Sequence, residues 1–319
     1  MNGARGQRGI ALLIALLTVA LAAVLIAGLL DRGELALART RNAIRGEQAE
    51  AYAQGLEAYA ARVLLKDSDQ GDDDSNTDLW AMPMPPQAVP GGTIRASMRD
   101  LNGCFNLNNL ASPNSPAVWQ RMFGRLLAVR GVDPSVQTAV QDWLGATGSE
   151  DVNTTDAYYL AQPVPYRSAR RVFAHVSELR LVRGVTGEVY ARLAPYVCAL
   201  PPGSHLNVNT ASVPVLQTLG QNISQAQAEN LWQNGQAHAD NQFRNTWSNM
   251  GIAIDPGIGD DMIGVRSSYF LARSDIDLDG VPFTFFSVIQ RPGLIVIARS
   301  RGSDAAPAVP DAPAATMSR

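Results

Sequence analysis

Residues 10–30 read IALLIALLTVALAAVLIAGLL, 21 consecutive positions without a charged side chain. A helix rises about 1.5 Å per residue, so this run spans about 31 Å, one hydrocarbon core. Thr18 carries its only side-chain hydrogen-bonding group, and that hydroxyl can bond a carbonyl of the preceding turn. Arg5 and Arg8 precede the run and Asp31 follows it. The positive flank therefore stays in the cytoplasm and the remainder is exported. Three readings of this start compete. One is a secretory signal cut at the small-x-small site Ala20-Leu21-Ala22, and another is an uncleaved anchor. The third is cleavage before the apolar core, after Gly9, which leaves Ile10 as the new N-terminus.

Outward from this run, residues 31–66 contain no proline and are rich in Ala, Leu, Glu and Arg, all good helix formers. Tyr52, Leu56, Tyr59 and Val63 recur at spacings of four, three and four, which predicts one apolar stripe. The spacing predicts one helix from Ile10 to Lys66, with Gly33, Gly46 and Gly55 as weak points. Such an element suits a fibre subunit, whose apolar half packs against neighbours while its second half anchors a head.

The whole chain has 319 residues, 46% apolar and 17% charged, with a formal charge of −3. Of its 26 basic residues only Lys66 is a lysine. A binder driven by phosphate neutralisation needs a basic surplus, and there is none. Three His and two Cys are too few for a zinc-rich protein. No GxSxG, HExxH, Walker loop or dinucleotide fingerprint occurs, and His175, His205 and His238 stand alone, so the residues point away from an enzyme.

After the helix, residues 67–92 hold six aspartates followed by Pro83, Pro85, Pro86 and Pro90, and read as a helix stop and a solvated acidic loop. An aspartate run could bind calcium, which stands as the alternative, but these residues lack the glycine and glutamate of a calcium-loop template. Ile94, Ala96 and Met98 alternate with polar residues; Asn102-Gly103 is a hairpin turn signal, after which Phe105 and Leu107 resume the alternation. Residues 112–262 look mainly helical, with helices over 116–130, 136–144, 212–219 and 224–234 and a helical turn at 177–184. Trp119, Trp143, Trp232 and Trp247 argue for a core of their own. Strand character returns at 268–278, 281–290 and 294–301, punctuated by Asp279-Gly280 and Pro292-Gly293. The layout is a sheet begun at 93–110, interrupted by a helical insert and completed at 266–301. The Ala/Pro-rich end, 303–319, reads as disordered.

Candidate sites follow. Cys104 and Cys198 are the only cysteines, and in an exported setting they read as an intramolecular disulfide, against two separate buried thiols. Asp275, Asp277, Asp279 and Gly280 fit the first positions of a calcium loop, but Phe286 stands where the closing Glu belongs, so a strand entering an Asp-Gly turn is the better reading. Asp142, Glu150, Asp151 and Asp156 form an acidic group around a flexible GATGS stretch. LNVNTASVPVLQTLG at 206–220 resembles a helix-hairpin-helix opening in which Asn209 or Thr210 could cap a helix. The charge around it gives phosphate no support, so no nucleic acid is expected there.

QRGIALLIALLTVALAAVL resembles the class III leader and first helix of type IV pilins and pseudopilins. SMRDLNGCFNLNNL, DWLG, SED, AYYL, HVSELRLVRG and LNVNTAS then follow in the order seen in the K-type minor pseudopilins of type II secretion. That resemblance covers about residues 6–300. It implies an α+β, pilin-like fold with a long N-terminal transmembrane helix, an antiparallel sheet and a large inserted helical domain. The boundaries expected are a leader at 1–9, the helix at 10–66, an acidic loop and first sheet residues at 67–111, the insert at 112–262, final strands at 263–302 and a tail at 303–319.

The resemblance further implies cleavage after Gly9 by prepilin peptidase and methylation of Ile10. The chain would then sit in a Gram-negative inner membrane as a single-pass protein with a periplasmic head. Its partners would be the I-type and J-type minor pseudopilins and other pseudopilus subunits, at the filament tip, where it primes assembly and supports export of folded proteins. Ile14 stands where shaft subunits of the family carry a glutamate, which suits the end of a filament. Calcium is implied at Asp142, Glu150 and Asp151, although Gly145 replaces one acid of the family run and Ser149 its alanine. An inner-membrane-anchored interaction protein outside any filament and a DNA-uptake minor pilin are the competing functions.

Overall fold

The computed structural model describes residues 4–69, 71, 73–146, 152–231 and 242–302. Its first element is one unbroken helix, α1, Ala4–Ser68, 65 residues long, and so about 98 Å at ideal rise. Gly28, Gly33, Gly46 and Gly55 do not interrupt it; a Cβ at any of the four would meet no atom within 4 Å. Every described side chain from Leu12 to Ile44 is exposed, and burial begins near Arg45.

From there α1 lies on a five-stranded antiparallel sheet. In chain order the strands are β1 (Gln87–Val89), β2 (Gly92–Asp100), then β7 (Tyr269–Leu278), β8 (Val281–Gln290) and β9 (Ile295–Arg301), in that spatial order. The buried helix stripe is Ala49, Ala53, Leu56, Ala60 and Leu64. The first three meet Ala96, Ile276 and Leu278, and the last two meet Trp80, Phe270, Ala272 and Ile289. The tyrosine stripe predicted from spacing is thus only partly correct. Leu56 is buried, Tyr52 and Val63 are half-buried, and Tyr59 is 44% exposed. Alanine permits a closer helix-to-sheet approach than tyrosine, so the sheet selects the small-residue face.

A polar clasp fixes this packing. Arg299 on β9 donates two hydrogen bonds to the Glu57 carboxylate at 2.8 Å each, and the Ser287 hydroxyl adds a third. Burial raises the Glu57 pKa, but these donors outweigh it and hold the carboxyl below its ordinary value. At the far end Arg45 pairs with Asp279 at 3.0 Å. Asp279 and Gly280 both adopt positive φ (50° and 77°) in the tight β7–β8 turn. This places the 275–280 acids on a strand and its turn.

The hairpin expected around Asn102-Gly103 does not form. The chain leaves the sheet at Asp100, and Phe105–Asn106 (β3) pairs instead in parallel with Val197–Cys198 (β4). Gly103 is needed for a close approach: a Cβ there would lie 2.7 Å from the Thr210 carbonyl oxygen. The hairpin partner of β2 in sequence is β1, turned by Pro90-Gly91 with Gly91 at φ 87°.

Between β2 and β7 sits the large insert. Among the described residues its helices are α2 (Pro116–Val129), α3 (Ser135–Leu144), α4 (Val152–Leu160), α5 (Gly187–Leu193), α6 (Val213–Leu216), α7 (Gln225–Leu231) and α8 (Phe243–Asn249). A short parallel pair, β5 (Leu206–Asn207) with β6 (Ile263–Gly264), closes it. Helices α4, α5 and α8 lie outside the helical stretches expected from the sequence. Trp119, Trp143 and Trp247 are buried in one core with Phe123, Leu126 and Leu216. Trp232 and the tail at 303–319 lie outside the described residues. Asp255 clamps α2, accepting from Arg121 and Arg125, and these donors hold its carboxyl far below the ordinary range.

A disulfide joins Cys104 to Cys198, with Cα atoms 5.8 Å apart and a sequence separation of 94. In the chain-entropy model a loop of that length is worth about 5 kcal/mol. The double variant Cys104→Ser/Cys198→Ser should therefore melt well below the parent in a thermal scan. Adding reductant should lower the parent towards the variant and leave the variant unchanged.

Candidate functional site

Two regions have no ordinary structural explanation in a soluble domain: the bare half of α1 and the polar root of the insert. In the first, Leu12, Leu13, Ile14, Leu16, Leu17, Val19, Leu21, Val24, Leu25, Ile26, Leu29 and Leu30 are all more than half exposed. Mean hydropathy reaches 2.9 in this stretch, and none of the window is buried. Thr18 donates to the Ala15 carbonyl at 2.9 Å, so its hydroxyl makes no demand on the surroundings. The helix is long and apolar enough to cross a membrane. Backbone polar groups in hydrocarbon must be satisfied within the segment, and a helix does so. Gly9 and Ile10 belong to its first turns.

The root of the insert is built from the residues of DLNGCFNLNNL. Four asparagines, Asn102, Asn106, Asn108 and Asn109, are at most 2% exposed. Asn102 accepts from the backbone N–H of Ser268 and Tyr269 and donates to the His205 carbonyl. Asn106 accepts from Asn108 and Leu200 and donates to the Pro201 carbonyl. Asn108 accepts from Phe173 N–H and donates to the Phe173 and Leu200 carbonyls. Asn109 accepts from Gly203 and donates to the Ser204 carbonyl. Each amide thus stitches non-adjacent backbone across buried space, where unpaired polar groups would be costly.

Asp100 centres the same root. Its carboxylate is buried and accepts from the Asn102 N–H at 2.7 Å, the Ser267 hydroxyl at 2.6 Å and the Thr210 hydroxyl. Burial pushes its pKa up to about 6, against the pull of these donors. Thr210 does not cap a helix as LNVNTAS suggested. Ser212 is the N-cap of α6, without a side-chain bond, and the Thr210 hydroxyl is committed to Asp100. His175 caps a 3₁₀ turn at Val176–Leu181 in a box with Glu178, and the His205 ring bonds the Arg266 carbonyl. His238 lies outside the described residues.

Two acidic groups stand out. Asp142 is half-buried in the last turn of α3. The Ser168 hydroxyl reaches the Asp142 carbonyl, and Ser168 N–H reaches the buried Asp156 carboxylate, which Arg170 approaches at 3.7 Å. Gly145, where the family run has an acid, ends α3 at φ 73°. That left-handed cap favours glycine. Glu150 and Asp151 lie outside the described residues. The second group is Asp67, Asp74 and Asp78, whose carboxylates each place one oxygen within 4.8 Å of the others and could hold a metal ion. The expected solvated acidic loop is thereby corrected: Asp67 and Asp74 are buried, because the loop folds under Arg291.

Comparison with known proteins bears on both regions. Residues 103–202, the segment of the asparagine-rich root and first insert helices, match the family model described as type II secretion system, protein K. Type II secretion system protein K of Pseudomonas aeruginosa is 33% identical over 320 residues, covering 95% of each chain. This chain belongs to the type II secretion system protein K family. The Aeromonas hydrophila protein K is 32% identical over 305 residues, covering 86% of this chain and 89% of its own. A solved chain from the crystal structure of the GspK–GspI–GspJ complex of enterotoxigenic Escherichia coli superposes with a TM-score of 0.67 at 27% identity. It covers 83% of this chain and 99% of its own. As a protein K family member the chain is a minor pseudopilin, a structural subunit of the secretion machinery and not an enzyme.

Sequence reasoning singled out Asp142 and the cysteines of this protein K family member and held a metal role for the 67–78 aspartates as an alternative, but missed the burial of Asp67 and Asp74 and the role of Asp100. A signal existed for Asp100, an acid inside a strand otherwise reading apolar in and polar out. Its raised pKa has a direct consequence. Native Asp100 holds its proton up to about pH 6, while the unfolded chain releases it near pH 4. Its contribution to stability is therefore full below about pH 4 and is lost as pH rises through 6. Replacing Asp100 by Asn should flatten that part of the curve of unfolding free energy against pH, measured by urea titration between pH 4 and 7.

Proposed function

We propose that this chain caps the type II pseudopilus at its tip, in complex with the I-type and J-type minor pseudopilins, and primes assembly for export of folded proteins. The observation that carries the reading is α1: one helix, bare and apolar over its first half and packed on a sheet over its second. Bare leucines need lipid before assembly and neighbouring helices after it, and the small residues Ala20, Ala23, Ala27 and Gly28 favour close lateral packing. Ile14 brings no carboxylate into that packing, so the helix does not need the charged partner that a buried glutamate would require.

In this reading residues 1–9 are a cytoplasmic leader that prepilin peptidase removes after Gly9, Ile10 is methylated, and 10–66 hold the head on the periplasmic face of the inner membrane. Residues 67–111 and 263–302 supply the sheet, and the insert between them, 112–262, obstructs a further subunit from stacking above. The partners are supported by the likeness to a chain crystallised with GspI and GspJ. Intact-mass and terminal-peptide analysis of protein from native membranes should find a chain starting at Ile10 and heavier by one methyl group, about 14 Da. A start at Ala23 would mean ordinary signal cleavage and would sink the filament reading.

We also propose calcium at Asp142, Glu150 and Asp151. All are oxygen donors, which suit a hard cation, and Ser168 ties the Asp142 turn to buried Asp156. Bound to the folded state, calcium should raise the melting temperature. The Glu150→Gln/Asp151→Asn variant should lose at least tenfold in affinity for this site, measured by calorimetric titration.

A further inference from the structure

The strand and helix ends beneath the insert meet at the loop that follows α1. Asp67 sits in the last turn of the helix, Asp74 in the loop, and Asp78 just ahead of the 3₁₀ turn Leu79–Ala81. One oxygen from each carboxylate lies within 4.8 Å of the others. Arg291 reaches this group, pairing with Asp74 and, at 3.5 Å, with Asp67. Its single charge balances only one of the three carboxylates.

A second observation concerns Asp74 alone. It is 1% exposed. Its Oδ2 is used by Arg291 and by the Ser267 N–H at 2.7 Å. Its Oδ1 is buried and has no hydrogen-bond partner among the described residues. A buried carboxylate oxygen without a partner costs free energy that a native fold rarely leaves uncompensated.

We propose that Asp67, Asp74 and Asp78 form a second divalent-cation site, distinct from the Asp142 group, that takes calcium and ties the end of α1 to the root of the insert. The donors are all oxygen, and calcium, with ligands at about 2.3–2.6 Å, bridges oxygens spaced this widely better than the smaller magnesium does. The ion would satisfy Asp74 Oδ1 and cancel the excess charge. Its position is mechanically central. Asp74 N–H bonds the Val265 carbonyl at 2.7 Å, and its own carbonyl accepts from Asn207, so the loop already touches both closing segments of the insert.

Terbium, a luminescent stand-in for calcium, reads the site through a nearby tryptophan. Trp80 lies two residues beyond Asp78, so its Cα is within about 7 Å of the Asp78 Cα. Trp143, beside Asp142, serves the other group. The experiment uses the full chain in detergent, carrying Glu150→Gln/Asp151→Asn to silence the Asp142 group. We expect one terbium per chain, with tryptophan-excited emission that calcium displaces, that Trp80→Phe abolishes and that Trp143→Phe leaves intact. Asp74→Asn should weaken binding at least tenfold. Should that variant fail to fold, Asp67→Asn, at the helix end, must give the same loss. Absence of emission at millimolar terbium would overturn the proposal. So would emission unaffected by Trp80→Phe, or calcium affinity unchanged in Asp67→Asn.

Discussion

A single helix that must satisfy two solvents is the constraint on which everything else in this molecule depends. Over residues 12–30 it offers nothing but apolar side chains, with its one hydroxyl turned back on its own backbone. Over residues 49–64 it offers an alanine-lined face narrow enough for a sheet to lie against. No proline and no helix-ending glycine separates the two halves, so the head cannot reorient relative to the membrane segment without breaking helical hydrogen bonds. The Glu57–Arg299 clasp and the Arg45–Asp279 pair then fix the sheet along the helix axis.

The second requirement is to mount a large helical body on a small sheet. Apolar contact at that join is confined to a small cluster, Leu101, Leu200 and Tyr269 around the disulfide and against Leu271 and Val288. The chain commits four buried asparagines, a buried aspartate and a disulfide within Asp100–Asn109 and their partners. Amide side chains are well suited to this because each offers both donors and an acceptor, and one residue can satisfy two strands that do not pair with each other. Such a network is intolerant of partial loss, since each deleted member leaves buried backbone unsatisfied.

Much of this was legible in the sequence where local pattern and final structure agree. Strands β7 to β9 were placed within one residue or so, because period-two alternation and the Asp279-Gly280 turn are local signals. The helices at 116–130 and 136–144 were visible by their apolar faces. The failures share a cause. Asn102-Gly103 looks like a hairpin turn from its neighbours alone, yet Gly103 is there to let Thr210, far away in sequence, come close. Tyr59 fits a helical stripe, but the sheet chose the alanine face instead. The acidic loop looked solvated because the partner that buries it, Arg291, is more than two hundred residues distant. For the candidate site, composition signalled carboxylates without signalling which of them would be drawn inside.

The way the insert is rooted also says how such a molecule could arise. Asp100 and Phe270 are register partners on adjacent strands, so the two ends of the insert emerge side by side, at antiparallel spacing of about 5 Å. In topological terms residues 101–268 are an overgrown hairpin loop. Closing a loop costs only about 0.6 kcal/mol more per doubling of its length. Growth from a handful of residues to the present size is about five doublings, about 3 kcal/mol in all. A cross-link inside the loop recovers a sum of that order. A plain two-stranded precursor could therefore have acquired an entire domain at one turn without rebuilding its sheet.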